Sequence, residues 1–112
     1  MDEVDLATMI SMIDAQDSTD NYVTYQLIEG GLQFQFGFRP KSELLARCIR
    51  LNIVMSNEKG LFKAAREQIE VAADRAQIGI FVDAVRNPRF AQNLAARGYL
   101  PRPNDCMYRP PQ

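Results

Sequence analysis

Residues 45–99 read LARCIRLNIVMSNEKGLFKAAREQIEVAADRAQIGIFVDAVRNPRFAQNLAARGY, and this stretch decides the fold. Within 46–55, Ile49, Leu51 and Ile53 alternate with Arg50, Asn52 and Val54, the period of a strand with one buried face. The preceding residues, Ser42 to Leu45, fit a helical turn. Gly60 marks a turn. From 58 to 77, Leu61/Phe62, Ala65, Ile69, Ala72/Ala73 and Ala76 recur at three-and-four spacing, which predicts a long helix with alanines that allow close approach to a sheet. Lys63–Glu67 and Arg66–Glu70 are expected on its exposed sides as i,i+4 pairs worth about 0.2–0.5 kcal/mol each, and Glu70–Asp74 as a repulsive pair. The apolar run 78–84 predicts a buried strand, so that strand, helix and strand make a right-handed βαβ unit. Asn87 then opens a helix over 88–97, which turns Phe90 and Leu94 to one side before Gly98 and Tyr99.

Outward from this unit the reading is simpler. Residues 22–39 predict a hairpin: β-branched and aromatic residues from Tyr22 to Ile28, then Gly30-Gly31, then Leu32, Phe34, Phe36 and Phe38 alternating with Gln33, Gln35 and Gly37. The apolar set faces a core, and the glutamines face water or a partner. Residues 3–16 predict an amphipathic helix on Leu6, Met9, Ile10 and Ile13, with Asp2, Glu3 and Asp5 at its positive end. Its methionines suit core packing or an adaptable partner surface. From Pro101 onward, four prolines leave Cys106–Arg109 as the one expected strand, short and at an edge, with Pro110–Gln112 extended and frayed. The expected whole is one α+β domain over 1–112, a central mixed sheet flanked by helices.

At 112 residues with 46% apolar and 24% charged residues, the chain has the make-up of an ordinary globular domain. It contains no histidine, and Cys48 and Cys106 have no CxxC spacing, which excludes a zinc site, a Cys-His nucleophile and a His-dependent hydrolase. No metal is expected. No apolar run approaches the length of a membrane span, and the acidic N-terminus lacks the basic flank of a signal peptide, so a cytoplasmic location is expected. Residues 1–38 carry seven acids and no Lys or Arg, whereas 39–112 carry 13 basic residues against seven acidic ones. The second half thus either attracts an anion or presents solvated helix faces. The basic residues are spread along helices with no aromatic interleaving, which speaks against a nucleic-acid surface.

The order strand, Asn87, short helix, Gly98-Tyr99, preceded by a glycine turn at 57–62, resembles the C-terminal half of the GCN5-related N-acetyltransferase (GNAT) superfamily. The resemblance covers about half the chain, and it too asks for a strand leading into the glycine turn. It implies a GNAT-like fold that moves an acetyl group from acetyl-CoA to an amine of a small molecule or protein. In that family the loop before the long helix takes the cofactor's pyrophosphate, which implies Asn57, Lys59, Gly60 and Leu61 here; unpaired amides at a helix start and a glycine allowing close approach suit an anion. The turn asparagine that bonds the cofactor arm would be Asn87, which also fits a plain N-cap ahead of Pro88. The carboxylate that deprotonates the amine would be Glu43 or Asp83. By position Tyr108, Tyr99 or Tyr25 could act as an acid, and each equally fits a core aromatic with its hydroxyl at the surface.

Two departures carry an alternative. Phe62 stands where the family's loop has a second small residue, and Leu94 where many members carry a tyrosine that protonates the departing thiolate. With what reads as a missing first strand, these look similar to small phage-encoded members of the superfamily. That implies a non-catalytic binding or structural protein, with a protein partner, a possible virion location and a larger assembly or oligomer.

Overall fold

The computed structural model describes residues 2–15, 24–39, 47–56 and 61–112. They form an α+β fold in which a seven-stranded mixed sheet is flanked by three helices. The strands are β1 (Asp2–Val4), β2 (Tyr25–Glu29), β3 (Leu32–Arg39), β4 (Cys48–Ser56), β5 (Gly79–Asp83), β6 (Leu100–Arg102) and β7 (Cys106–Arg109). The helices are α1 (Leu6–Ala15), α2 (Leu61–Ala76) and α3 (Pro88–Ala95). Across the sheet the order is β1-β2-β3-β4-β5-β7-β6, with β1 parallel to β2, β4 parallel to β5 and the other pairs antiparallel.

Strand alternation separates the two faces of this sheet. The register aligns Leu27 with Phe34, Phe36 with Leu51, Leu51 with Val82 and Val82 with Met107, all buried. Onto this face α1 lays Leu6, Met9 and Ile13, α2 lays Phe62, Ala65, Ile69, Ala72 and Ala73, and α3 lays Leu94, in one continuous core. At roughly 1.5–3 kcal/mol for each large side chain removed from water, that core is what holds the layers together. The opposite face aligns Gln26, Gln35, Asn52 and Asp83 in one row and Gly37, Arg50, Phe81 and Tyr108 in the next. Polar and charged side chains thus gather on this face where β4 and β5 meet.

Several expectations are corrected. The first strand is present: residues 2–4 pair with β2, and the helix expected over 3–16 starts at Leu6 because Asp5 caps it, its Oδ1 accepting from Thr8 N at 2.8 Å. Asp2 and Glu3 are therefore strand residues. The long helix stops at Ala76, where Gln77 takes a left-handed φ of 57° and Ile78 N reaches back to Ala73 O at 2.9 Å. The last helix ends at Ala95, two residues short of the expected bound, and Gly98 at φ 92° turns the chain into a strand at 100–102 that the sequence did not suggest. Pro101 is tolerated there because β6 lies at the sheet edge. Arg66 and Glu70 are not on an exposed side: they are 6% and 2% exposed. Glu70 is bound by Arg97 through two hydrogen bonds of 3.1 and 2.7 Å, and Glu70 and Asp74 are each matched to a different arginine.

The C-terminal tail is anchored, not frayed. Asp74 on α2 accepts from Arg109 Nη1 at 2.6 Å and Nη2 at 2.9 Å, and from Gln112 N at 3.1 Å. The Arg109 hydrogen bonds hold the Asp74 carboxyl below its ordinary range, opposed by partial burial. A carboxyl whose folded pKa is depressed stabilises the fold above its unfolded pKa, and that stabilisation is lost as pH falls through the folded value. We expect Asp74→Asn to cost about 1–2 kcal/mol at neutral pH and the difference from the parent to shrink steadily below about pH 4. Urea unfolding at stepped pH measures this; a difference that does not change with pH would contradict it.

Candidate functional site: the opening between β4 and β5

The parallel pair β4 and β5 is joined from Cys48↔Gly79 to Asn52↔Asp83 and no further, although β4 runs on beside β3 to Ser56. Two local features part the strands. Ala84 adopts a left-handed φ of 56° that turns β5 out of the sheet, and Val85 N is then held by Asp105 O at 2.6 Å. On the other side β4 carries one more residue than β3 between the pairs Gln35↔Asn52 and Gln33↔Met55, a bulge that bends the strand. Residues 53–56 consequently present to the β5 side a backbone edge that no described strand pairs. A left-handed alanine is sterically costly, and such strain is characteristically kept where it shapes a site.

At the polar-face end of this opening lies a cavity of about 100 Å³ whose lining includes Thr24, Gln35, Arg39, Arg50, Asn52 and Asp83. Arg50 grips Asp83 with both ends of its fork, Nε to Oδ2 at 2.6 Å and Nη2 to Oδ1 at 2.8 Å. It also lies 4.9 Å over the Phe81 ring. The Cys106 thiol donates to Asp83 Oδ1 at 3.4 Å. Burial pushes the Cys106 thiol up, as it does the Cys48 thiol, so neither is an activated nucleophile. The bond to Asp83 raises the already high pKa of Arg50. Arg50 thus stays charged, with both ends of its fork on the Asp83 carboxylate.

The expected site residues are distributed as follows. Asp83 ends β5 beside the opening, and Asn87 follows four residues on as the N-cap of α3, its Oδ1 accepting from Arg89 N at 2.9 Å and Phe90 N at 3.3 Å. Only its amide NH₂ is left to meet a ligand. Tyr108 is buried in β7; its ring lies across Gly79, where a Cβ would collide with it, and burial raises the phenol's pKa. It is a packing residue, and the structure does not bring it into the cavity with Asp83. Leu61 opens α2. Glu43, Asn57, Lys59 and Gly60 lie outside the described residues. Phe62 is turned into the core, edge-on to Phe34 at 5.9 Å and to Phe90 at 5.7 Å. Arg50 and Asn52 were missed as site residues, although their alternation with Ile49 and Leu51 already placed them on the face away from the core. What was lacking was the register that sets Asp83 beside Asn52.

The capping role of Asn87 has a measurable size. Asn87→Ala is expected to lower stability by about 1 kcal/mol, seen as a lower thermal midpoint, and an unchanged midpoint would contradict the cap.

Among the described residues no group of three or more His, Cys, Asp or Glu could hold a metal ion, and no helix is long and apolar enough to cross a membrane. No family model matches the chain, and no curated protein and no solved structure matches it.

Proposed function

We propose that this chain is a GNAT-like N-acyltransferase that uses acetyl-CoA to acylate an amine of a small molecule or protein. One observation carries the reading: two parallel strands joined by a helix part at Asn52 and Asp83, and one of them runs on with an unpaired backbone edge. That edge fits a ligand with amides of its own, which would add hydrogen bonds as a short strand does. In this reading 53–56 hold the pantetheine arm, Asn87 donates to it through its side-chain NH₂, and Asn57, Lys59, Gly60 and Leu61 meet the pyrophosphate at the start of α2. Acetyl-CoA, when bound, supplies an activated thioester. The protein's part is then to place the amine and exclude water, with the Asp83 carboxylate already engaged by Arg50.

Calorimetric titration with acetyl-CoA is expected to give saturable heat at one site per chain. Absence of heat at millimolar cofactor would remove the proposal. A second reading, a non-catalytic protein of the same architecture that binds a protein partner, draws on the Arg50–Asp83 pair and on Leu94, which is fully buried where a catalytic tyrosine would stand. Binding of acetyl-CoA without turnover of any amine, or a stable complex with a different protein formed without it, would favour that reading.

A further inference from the structure

The helix α2 has a second apolar feature besides its core face. Ala64, Glu67, Gln68, Val71 and Arg75 are exposed and fall on one stripe at three-and-four spacing, with Val71 62% exposed at its centre. With Ile10 of α1 they line a groove of about 470 Å³. Val71 is one of three large hydrophobic residues exposed among the described residues, and the only one of these three on a helix.

We propose that this groove is a self-association surface that takes α2 of a second copy of this chain, antiparallel, with Val71 on the two-fold axis. The argument is charge complementarity. In an antiparallel pair centred on Val71, the residue four before it meets the partner's residue four after it. Glu67 therefore faces the partner's Arg75, and Arg75 the partner's Glu67, so one contact is made twice, as an isologous interface requires. A parallel pairing would set Glu67 against Glu67 and lose both. Arg75 is also held in place: its Nε and Nη2 both donate to Asp14 Oδ1, at 3.1 and 2.7 Å. That leaves the Nη1 side of the planar fork for a second carboxylate. Ala64 and Ile10 add apolar surface to the lining of the groove.

Sedimentation of the full chain over a concentration series tests this. The mass is expected to rise toward twice the 12.7 kDa of one chain. Glu67→Arg sets like charges together twice and should weaken association by about tenfold or more, whereas Glu67→Arg with Arg75→Glu should restore it to within about threefold. Oxidised Val71→Cys should form a disulfide-linked dimer, because the axis residue meets its own copy, while Gln68→Cys should not. Circular dichroism melts of these surface variants separate lost association from lost folding. A parent chain that stays monomeric, a double variant that does not recover, or a Val71→Cys chain that fails to cross-link would each overturn the proposal.

Discussion

Glu70→Ala is expected to lower the free energy of unfolding by about 3–5 kcal/mol, the loss typical of breaking a buried ion pair from one side. Glu70 is 2% exposed and lies between Arg97, which donates to Oε1 at 3.1 and 2.7 Å, and Arg66, whose Nε is 3.6 Å from Oε2. The two arginines differ in what they lose. The Arg97 side chain is 45% exposed and can return to water, but Arg66 is buried, and Glu70 is its ion-pair partner among the described residues. Tyr99 adds to the cluster: its buried hydroxyl faces Glu70 without a hydrogen bond of good geometry, and its pKa is driven far up by burial first and by the Glu70 charge second. Removing both charged partners is a different case. Glu70→Met combined with Arg66→Met replaces a poorly aligned pair with apolar volume, and should recover most of the loss. Urea unfolding of the three chains measures the series; a single-variant loss below about 1 kcal/mol would show that the pair is solvated in the folded state.

This cluster marks the boundary of what the sequence could tell. The hairpin was legible because its signals are local: alternation on both sides of Gly30-Gly31, with Glu29 paired to Leu32 across a two-residue turn. The long helix and the strands either side of it were legible for the same reason, since a period of 3.6 or 2 appears within a few residues. Arg66 and Glu70 were misplaced because helical spacing identifies a stripe, while the sheet and the segment after α3 bury α2 over a wider arc than its apolar residues mark. The strand at 2–4 is three residues long, too short for alternation to show, and it exists through pairing with β2 some twenty residues away. At the candidate site, the types were readable and the partnership was not. Asp83 suggested a base, but the Arg50 that engages it comes from another strand, and only the β4–β5 register brings them together. The same holds for the opening itself, which depends on a left-handed Ala84 that no local preference announces.

Phe62 shows how a residue type can mislead when its direction is unknown. At a position where a small residue would suit a phosphate-binding loop, a phenylalanine suggests an obstruction, and Phe62→Ala would then appear to repair the loop. The structure gives the ring another task. It is 8% exposed, edge-on to Phe34 of β3 and to Phe90 of α3, and so joins sheet, α2 and α3 at one point. Truncating it to alanine leaves a cavity among three elements, and the expected cost is about 3–5 kcal/mol. Phe62→Leu keeps most of the volume and should lose less than about 1.5 kcal/mol. Because the ring points inward, Phe62→Ala should bring no gain in acetyl-CoA affinity; loosening the first turn of α2 should weaken any binding that the parent chain has. Urea unfolding and calorimetry on the same two variants check both halves. An alanine variant that keeps its stability and binds acetyl-CoA more tightly would mean that the ring stands over the loop and not in the core.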